Sequence, residues 1–104
     1  MSTMHHFLIS HVGSIFTLRL PENVTTGYSW VFDIPPSIQV VSDTRQSVPS
    51  GKLGQSGTRV LVLRPSQTGT FSITARYIRP WIPTQAVKLY NMTLLVTNPP
   101  LFRV

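Results

Sequence analysis

The sequence contains no cysteine and very few acidic residues, which are Glu22, Asp33 and Asp43. Without cysteine the chain cannot form a disulfide, provide a thiol nucleophile or hold a Cys-ligated metal. Three carboxylates scattered along the sequence are too few for most acid–base or metal chemistry. An enzyme is therefore the least expected class of protein, and we expect neither a cofactor nor a bound metal.

Long apolar runs are also missing. No stretch approaches the ~20 apolar residues of a membrane-spanning helix, and we find no basic segment followed by an apolar run and a cleavage site, as in a signal peptide. Together with the lack of cysteine, this favours a cytoplasmic location. The 9 Lys and Arg residues give a formal net charge of +6, but they are spread evenly, so a basic nucleic-acid-binding barrel is a less favoured alternative.

What the chain does have is an apolar pattern of period two. Hydrophobic residues make up 41% of the 104 residues, which is enough for one domain, residues 1–104, with a core of its own. Apolar side chains alternate with polar ones, most regularly at Phe71, Ile73, Ala75 and Tyr77. Proline and glycine interrupt the pattern at near-regular intervals and predict six or seven short strands without a helix. The expected fold is an all-β antiparallel sandwich, with a small barrel as the alternative.

Three loops between these predicted strands have unusual compositions. The first, residues 23–28, carries small hydroxyl side chains and a glycine, and the second, residues 50–58, is rich in glycine. The third, residues 79–83, holds Trp81 between two prolines. An aromatic side chain on a rigid loop is typical of a binding interface. Taken singly, each loop could equally be an ordinary surface loop, and Trp81 could fold back onto the core.

Taken together, the three loops resemble those of the chagasin-like inhibitors of papain-type cysteine peptidases. That family carries an N-P-T-T-G motif, a G-x-G-G motif and an R-P-W/F motif, in this order. The corresponding segments here read N-V-T-T-G at residues 23–27, L-G-Q-S-G-T at residues 53–58 and Y-I-R-P-W at residues 77–81. Tyr28 and Trp30 follow the first motif, as an aromatic pair does in the family. The resemblance spans nearly the whole chain.

The resemblance implies an immunoglobulin-like β-sandwich whose three loops form a wedge that enters the cleft of a protease. The first loop would lie over the catalytic Cys–His pair of the peptidase, with the other two loops on either side of it. It implies a reversible, non-covalent inhibitor, with a papain-like cysteine peptidase as its partner. The residues that it assigns to protease binding are Asn23, Thr25, Thr26, Gly27, Tyr28, Leu53, Gly54, Gln55, Ser56, Gly57, Arg79, Pro80 and Trp81.

Two residues depart from the family pattern. Val24 stands where the family usually has proline, which lowers the rigidity expected of the first loop. Ser56 stands where the family has glycine, and a serine with positive φ would cost on the order of 1 kcal/mol. Neither change touches Thr25, Thr26 or the Arg-Pro-Trp triplet, so we expect the inhibitory function to be retained.

A second interpretation is a β-sandwich adhesion or ligand-binding module without inhibitory activity, which would use the same loops for another protein or a glycan. Titration of a cysteine peptidase separates the two interpretations. We expect neither a nucleic acid nor a membrane as partner, and we expect a monomer, because a small wedge does not need to oligomerise.

Overall fold

The computed structural model describes residues 2–47, 57–82 and 84–100, and most of these residues lie in β-strands. A single turn of 3-10 helix, Val24–Thr26, follows the second strand. The described residues form seven strands, which are β1 (Ser2–His11), β2 (Phe16–Glu22), β3 (Ser29–Asp33), β4 (Ile38–Ser47), β5 (Gly57–Pro65), β6 (Gly69–Ile78) and β7 (Lys88–Thr97).

The strands form two sheets, one with the order β1-β7-β6-β3 and the other with the order β2-β5-β4. All pairs within the sheets are antiparallel except β1 with β7, which run parallel from Ser2 opposite Lys88 to His11 opposite Thr97. The predicted all-β sandwich is therefore confirmed, with one parallel pair that the sequence pattern did not predict. Alternation of side chains identifies the buried face of a strand and leaves the direction of its neighbour open.

The core lies between the two sheets and follows the period-two pattern. Every second side chain of β7 is buried, and so is every second side chain of β6 from Ile73 to Tyr77. The other sheet contributes Leu18 and Leu20 from β2 and Leu61 and Leu63 from β5. Removing this apolar surface from water provides the main stabilisation of the fold, at roughly 25 cal/mol per Å². In the part of the chain with described structure, no helix is long and apolar enough to cross a membrane.

The topology brings the first and third loops together at one end of the sandwich. The first loop connects β2 to β3 and the third follows β6, and β3 and β6 are neighbours in one sheet. The second loop connects β4 to β5, and only its last residues, Gly57 and Thr58, are described. Gly57 lies opposite Glu22 of β2 and Ser47 of β4. The second loop therefore ends beside the residue from which the first loop starts.

Candidate functional site

The first loop is held in shape by its own polar side chains. The Asn23 Oδ1 atom accepts hydrogen bonds from the backbone N–H of Thr25 at 3.1 Å and from its hydroxyl at 2.6 Å. The Thr26 hydroxyl donates to the Asn23 carbonyl at 2.7 Å, and the Thr26 N–H reaches the same carbonyl at 3.3 Å. Such bonds from Asn to the backbone two residues further along are typical of tight turns. They provide rigidity at the position where the family's proline is replaced by Val24.

The third loop is held by proline and by a backbone hydrogen bond. The Ile82 N–H donates to the Arg79 carbonyl at 2.9 Å, so residues 79–82 form a turn with Pro80 at its second position. Proline fixes φ near the value that this position requires. Trp81 occupies the third position, at the tip of the turn, and remains 67% exposed. The alternative in which Trp81 folds back onto the core is therefore wrong.

The first and third loops are in direct contact. Gly27 adopts a φ of +81°, a conformation that favours glycine, and a Cβ atom at this residue would lie 2.6 Å from Cη2 of Trp81. The edge of the indole ring thus rests on the bare backbone of Gly27. Beside it, the Arg79 guanidinium lies 4.5 Å from the centre of the Tyr28 ring, which is within range of a cation–π interaction. The loops form one continuous surface.

An aromatic cluster supports this surface from below. Tyr77 of β6 stacks on Tyr28 with 5.3 Å between the ring centres and packs against Trp30 at 4.8 Å. The Tyr77 hydroxyl accepts a hydrogen bond from the Asn23 N–H at 2.9 Å. Trp30 is itself fixed, because its indole N–H donates to the Pro21 carbonyl at 2.9 Å. The cluster ties both ends of the first loop to the core.

An ionic network centred on the buried Glu22 lies at the start of the first loop. The Glu22 side chain is 1% exposed and pairs with Arg45 of β4 at 2.5 Å and with Arg59 of β5 at 3.0 Å. It also accepts a hydrogen bond from the Trp30 N–H at 3.0 Å. Arg59 in turn binds both oxygens of Asp43, at 2.5 and 2.8 Å. The arginines come from the two strands that flank the second loop, so the network joins the starting points of the first and second loops.

The network keeps its carboxylates ionised. Burial raises the pKa of Glu22, but hydrogen bonds from the Trp30 N–H, Arg45 and Arg59 outweigh burial, so the pKa lies below the ordinary value of 4.5. The hydrogen bonds from Arg59 lower the pKa of Asp43 below 3.8, against a smaller opposing effect of burial. Asp43 raises the pKa of Arg59 in return. All three groups are therefore charged at neutral pH.

Of the predicted second-loop residues, four lie outside the described residues: Leu53, Gly54, Gln55 and Ser56. Gly57, the last glycine of this motif, lies in β5. A Cβ atom on Gly57 would come within 2.8 Å of the Gln46 carbonyl oxygen, which is closer than such atoms pack in proteins. Glycine is therefore required at position 57 because β4 and β5 approach each other closely there.

Sequence reasoning missed the role of Glu22. Glu22 was counted only as one of three scattered carboxylates, whereas it ends β2 and is buried. A signal was present, because Glu22 continues the inward-facing alternation of Leu18 and Leu20. A carboxylate at an inward position requires cationic partners, and the two arginines that serve it are distant in sequence.

The fold and this end of the molecule define a class: a β-sandwich that presents adjoining, internally braced loops for binding another protein. Residues 10–94 match the family model described as the chagasin family peptidase inhibitor I42. Chagasin of Trypanosoma cruzi is 30% identical over 76 residues, which cover 67% of this chain and 69% of chagasin. The chain belongs to the chagasin family of peptidase inhibitors, which is composed of inhibitors and not of enzymes.

Solved structures share the fold. The cysteine protease inhibitor EhICP2 from Entamoeba histolytica superposes with a TM-score of 0.79 at 23% identity, covering 92% of this chain and 95% of that chain. PbICP-C, solved in complex with falcipain-2, superposes with a TM-score of 0.64 at 22% identity and covers 92% of each chain. At identities this low, these structural matches establish the fold alone. The function is inferred from membership of the family.

Proposed function

We propose that this chain is a reversible, non-covalent inhibitor of papain-like cysteine peptidases, with the three loops occluding the active-site cleft. Its membership of the chagasin family supports inhibition of a peptidase, and the complex of PbICP-C with falcipain-2 supports the class of partner. In this proposal the first loop covers the catalytic Cys–His pair of the peptidase. The second and third loops flank it, and Trp81 packs on aromatic surface near the primed side.

The observation that carries the proposal is the position of Trp81. A tryptophan that is 67% exposed leaves a large apolar area in water. Here the ring is also held in place by the turn of the third loop and by Gly27 of the first. Interfaces bind most tightly through aromatic side chains that are already fixed, since less conformational freedom is lost on association.

The shape of the first loop explains why such an inhibitor resists cleavage. Papain-like peptidases attack the carbonyl of an extended peptide that is aligned with their thiolate. Val24–Thr26 instead forms a 3-10 turn, and both threonine hydroxyls make hydrogen bonds inside the loop. The loop can fill the cleft without offering an aligned peptide bond, so inhibition proceeds by exclusion of the substrate.

Titration of papain tests the proposal. We expect loss of hydrolysis of a fluorogenic peptide at near one-to-one stoichiometry, recovery of activity on dilution, and an intact inhibitor mass after incubation. Thr25→Tyr places a bulky ring on the first loop and should abolish inhibition while the chain remains folded by circular dichroism. Lack of inhibition of papain and of a panel of related peptidases by the natural sequence would refute the proposal, and full inhibition by Thr25→Tyr would exclude a central first loop.

A further inference from the structure

We propose that Tyr77 is a positioning residue that couples the first and third loops, so that its hydroxyl group contributes to inhibition without touching the protease. The inference rests on the proposed inhibitory function. Tyr77 is only 6% exposed, and it lies near the end of β6 under the two loops. Its contacts fall into two sets, one made by the side chain and the other by the backbone.

The side chain of Tyr77 holds the first loop. Its hydroxyl accepts from the N–H of Asn23 at 2.9 Å and lies 3.5 Å from the Asn23 carbonyl oxygen. Asn23 is the residue whose side chain and carbonyl bind Thr25 and Thr26. Fixing Asn23 therefore fixes the turn that follows it. The stacked ring of Tyr28 meets Tyr77 from the other end of the same loop.

The backbone of Tyr77 closes the third loop. Its carbonyl accepts from the N–H of Val87 at 3.0 Å, where the chain returns to β7. Arg79, two residues further along, places its guanidinium over Tyr28. One residue thus joins the bases of both loops, and the contact of Gly27 with Trp81 joins their tips. A displacement of the first loop relative to Tyr77 would carry away the surface on which Trp81 rests.

Tyr77→Phe tests this role because it removes one oxygen atom and leaves the stacked rings in place. Tyr90→Phe is the matched control, since Tyr90 is a second buried tyrosine, 3% exposed, in β7. Ile73→Val is the stability control, because it shortens a fully buried side chain in β6 and lowers the melting temperature by an amount comparable with the loss of one hydrogen bond.

We expect Tyr77→Phe to raise the dissociation constant for papain about tenfold, as loss of a well-formed hydrogen bond that orders a binding loop would. Tyr90→Phe and Ile73→Val should stay within about twofold of the natural sequence, because both residues lie within strands, with Tyr90 opposite Ala75 and Ile73 opposite Met92. All measurements should be made at 25 °C, on variants that circular dichroism first shows to be folded. A loss of stability alone then leaves the concentration of active inhibitor unchanged.

A second readout needs no protease. Amide hydrogen exchange followed by NMR should be faster at Thr25 and Thr26 in Tyr77→Phe and unchanged in the two controls. Equal inhibition by Tyr77→Phe and the natural sequence, or equal weakening by Ile73→Val, would overturn the positioning role. If the natural sequence inhibits no cysteine peptidase, the proposed function fails, and the exchange rates still decide whether Tyr77 orders the first loop.

Discussion

The first and third loops reach the same end of the sandwich but are held there by different forces. The first loop relies on polar contacts, with Asn23 bonded to its own threonines and Glu22 buried in an ionic network just before it. The third loop relies on Pro80, on backbone hydrogen bonds and on the contact of Trp81 with Gly27. The comparison teaches that a small sandwich can fix a tight turn from within and can fix an exposed aromatic side chain by resting it on that turn.

The largest expected effect concerns the ionic start of the first loop. Glu22→Gln leaves Arg45 and the inner side of Arg59 without their buried carboxylate, and should lower the free energy of unfolding by ~3 kcal/mol. Urea denaturation at pH 7 measures this loss. Asp43→Asn serves as control, since it also removes a partner of Arg59 but lies at a more exposed site, and it should cost less.

The loss of stability in Glu22→Gln should depend on pH. Because the pKa of Glu22 is lower in the folded chain than its ordinary value of 4.5, the carboxylate stabilises the fold fully above about pH 5. That contribution is lost as pH falls through the folded-state pKa. The difference in stability between the natural sequence and Glu22→Gln should therefore shrink below pH 4. A difference that stays constant down to pH 2 would contradict the assigned ionisation.

The next effect concerns the tip of the third loop. Trp81→Ala should weaken binding to papain by ~2 kcal/mol or more, because the ring is an exposed anchor on a fixed turn. The melting temperature should hardly change, because most of the ring already lies in water. Inhibition kinetics measure the loss of binding, and a thermal melt on the same sample measures the change in melting temperature. A large fall in melting temperature would mean that the indole stabilises the fold instead.

The smallest effect concerns the turn of the first loop. Asn23→Ala removes the side-chain oxygen that binds Thr25 twice, and should weaken inhibition by ~1 kcal/mol through loss of order in the loop. Asn23→Asp keeps an acceptor oxygen in the same place and should retain most of the inhibition. Inhibition constants of the two variants, compared side by side, test whether the acceptor is what matters. An equal loss of inhibition in both variants would mean that the amide nitrogen of Asn23, and not its oxygen, is the important group.

The sequence pattern predicted the buried faces of the strands because alternation is a local property. Ile73, Ala75 and Tyr77 are buried in the core as this pattern predicts, and Phe71 packs against it. The motif comparison with a known family identified the loops, and the contact of Gly27 with Trp81 shows that two of them adjoin. The cytoplasmic location, the monomeric state and the protease contacts of individual residues stay predictions.

The remaining features depend on partners that are distant in sequence. The ion pairs of Glu22 depend on the register of β2, β5 and β4, which places Arg59 and Arg45 near its carboxylate. A local sequence pattern does not predict how two strands joined by a long connection align with each other. The double role of Tyr77 is likewise invisible in the sequence, where it resembles any inward-facing aromatic residue of a strand.

The parallel pairing of β1 with β7 has a consequence for how the chain reaches its fold. Partners such as His11 and Thr97 are 86 residues apart, and β7 lies between β1 and β6 in its sheet. Among the described strands, β7 is the neighbour of β1, so β1 lacks this partner until β7 has been made. Contacts this distant in sequence slow folding, because a long loop must close before they can form. We therefore expect folding to be rate-limited by docking of β7.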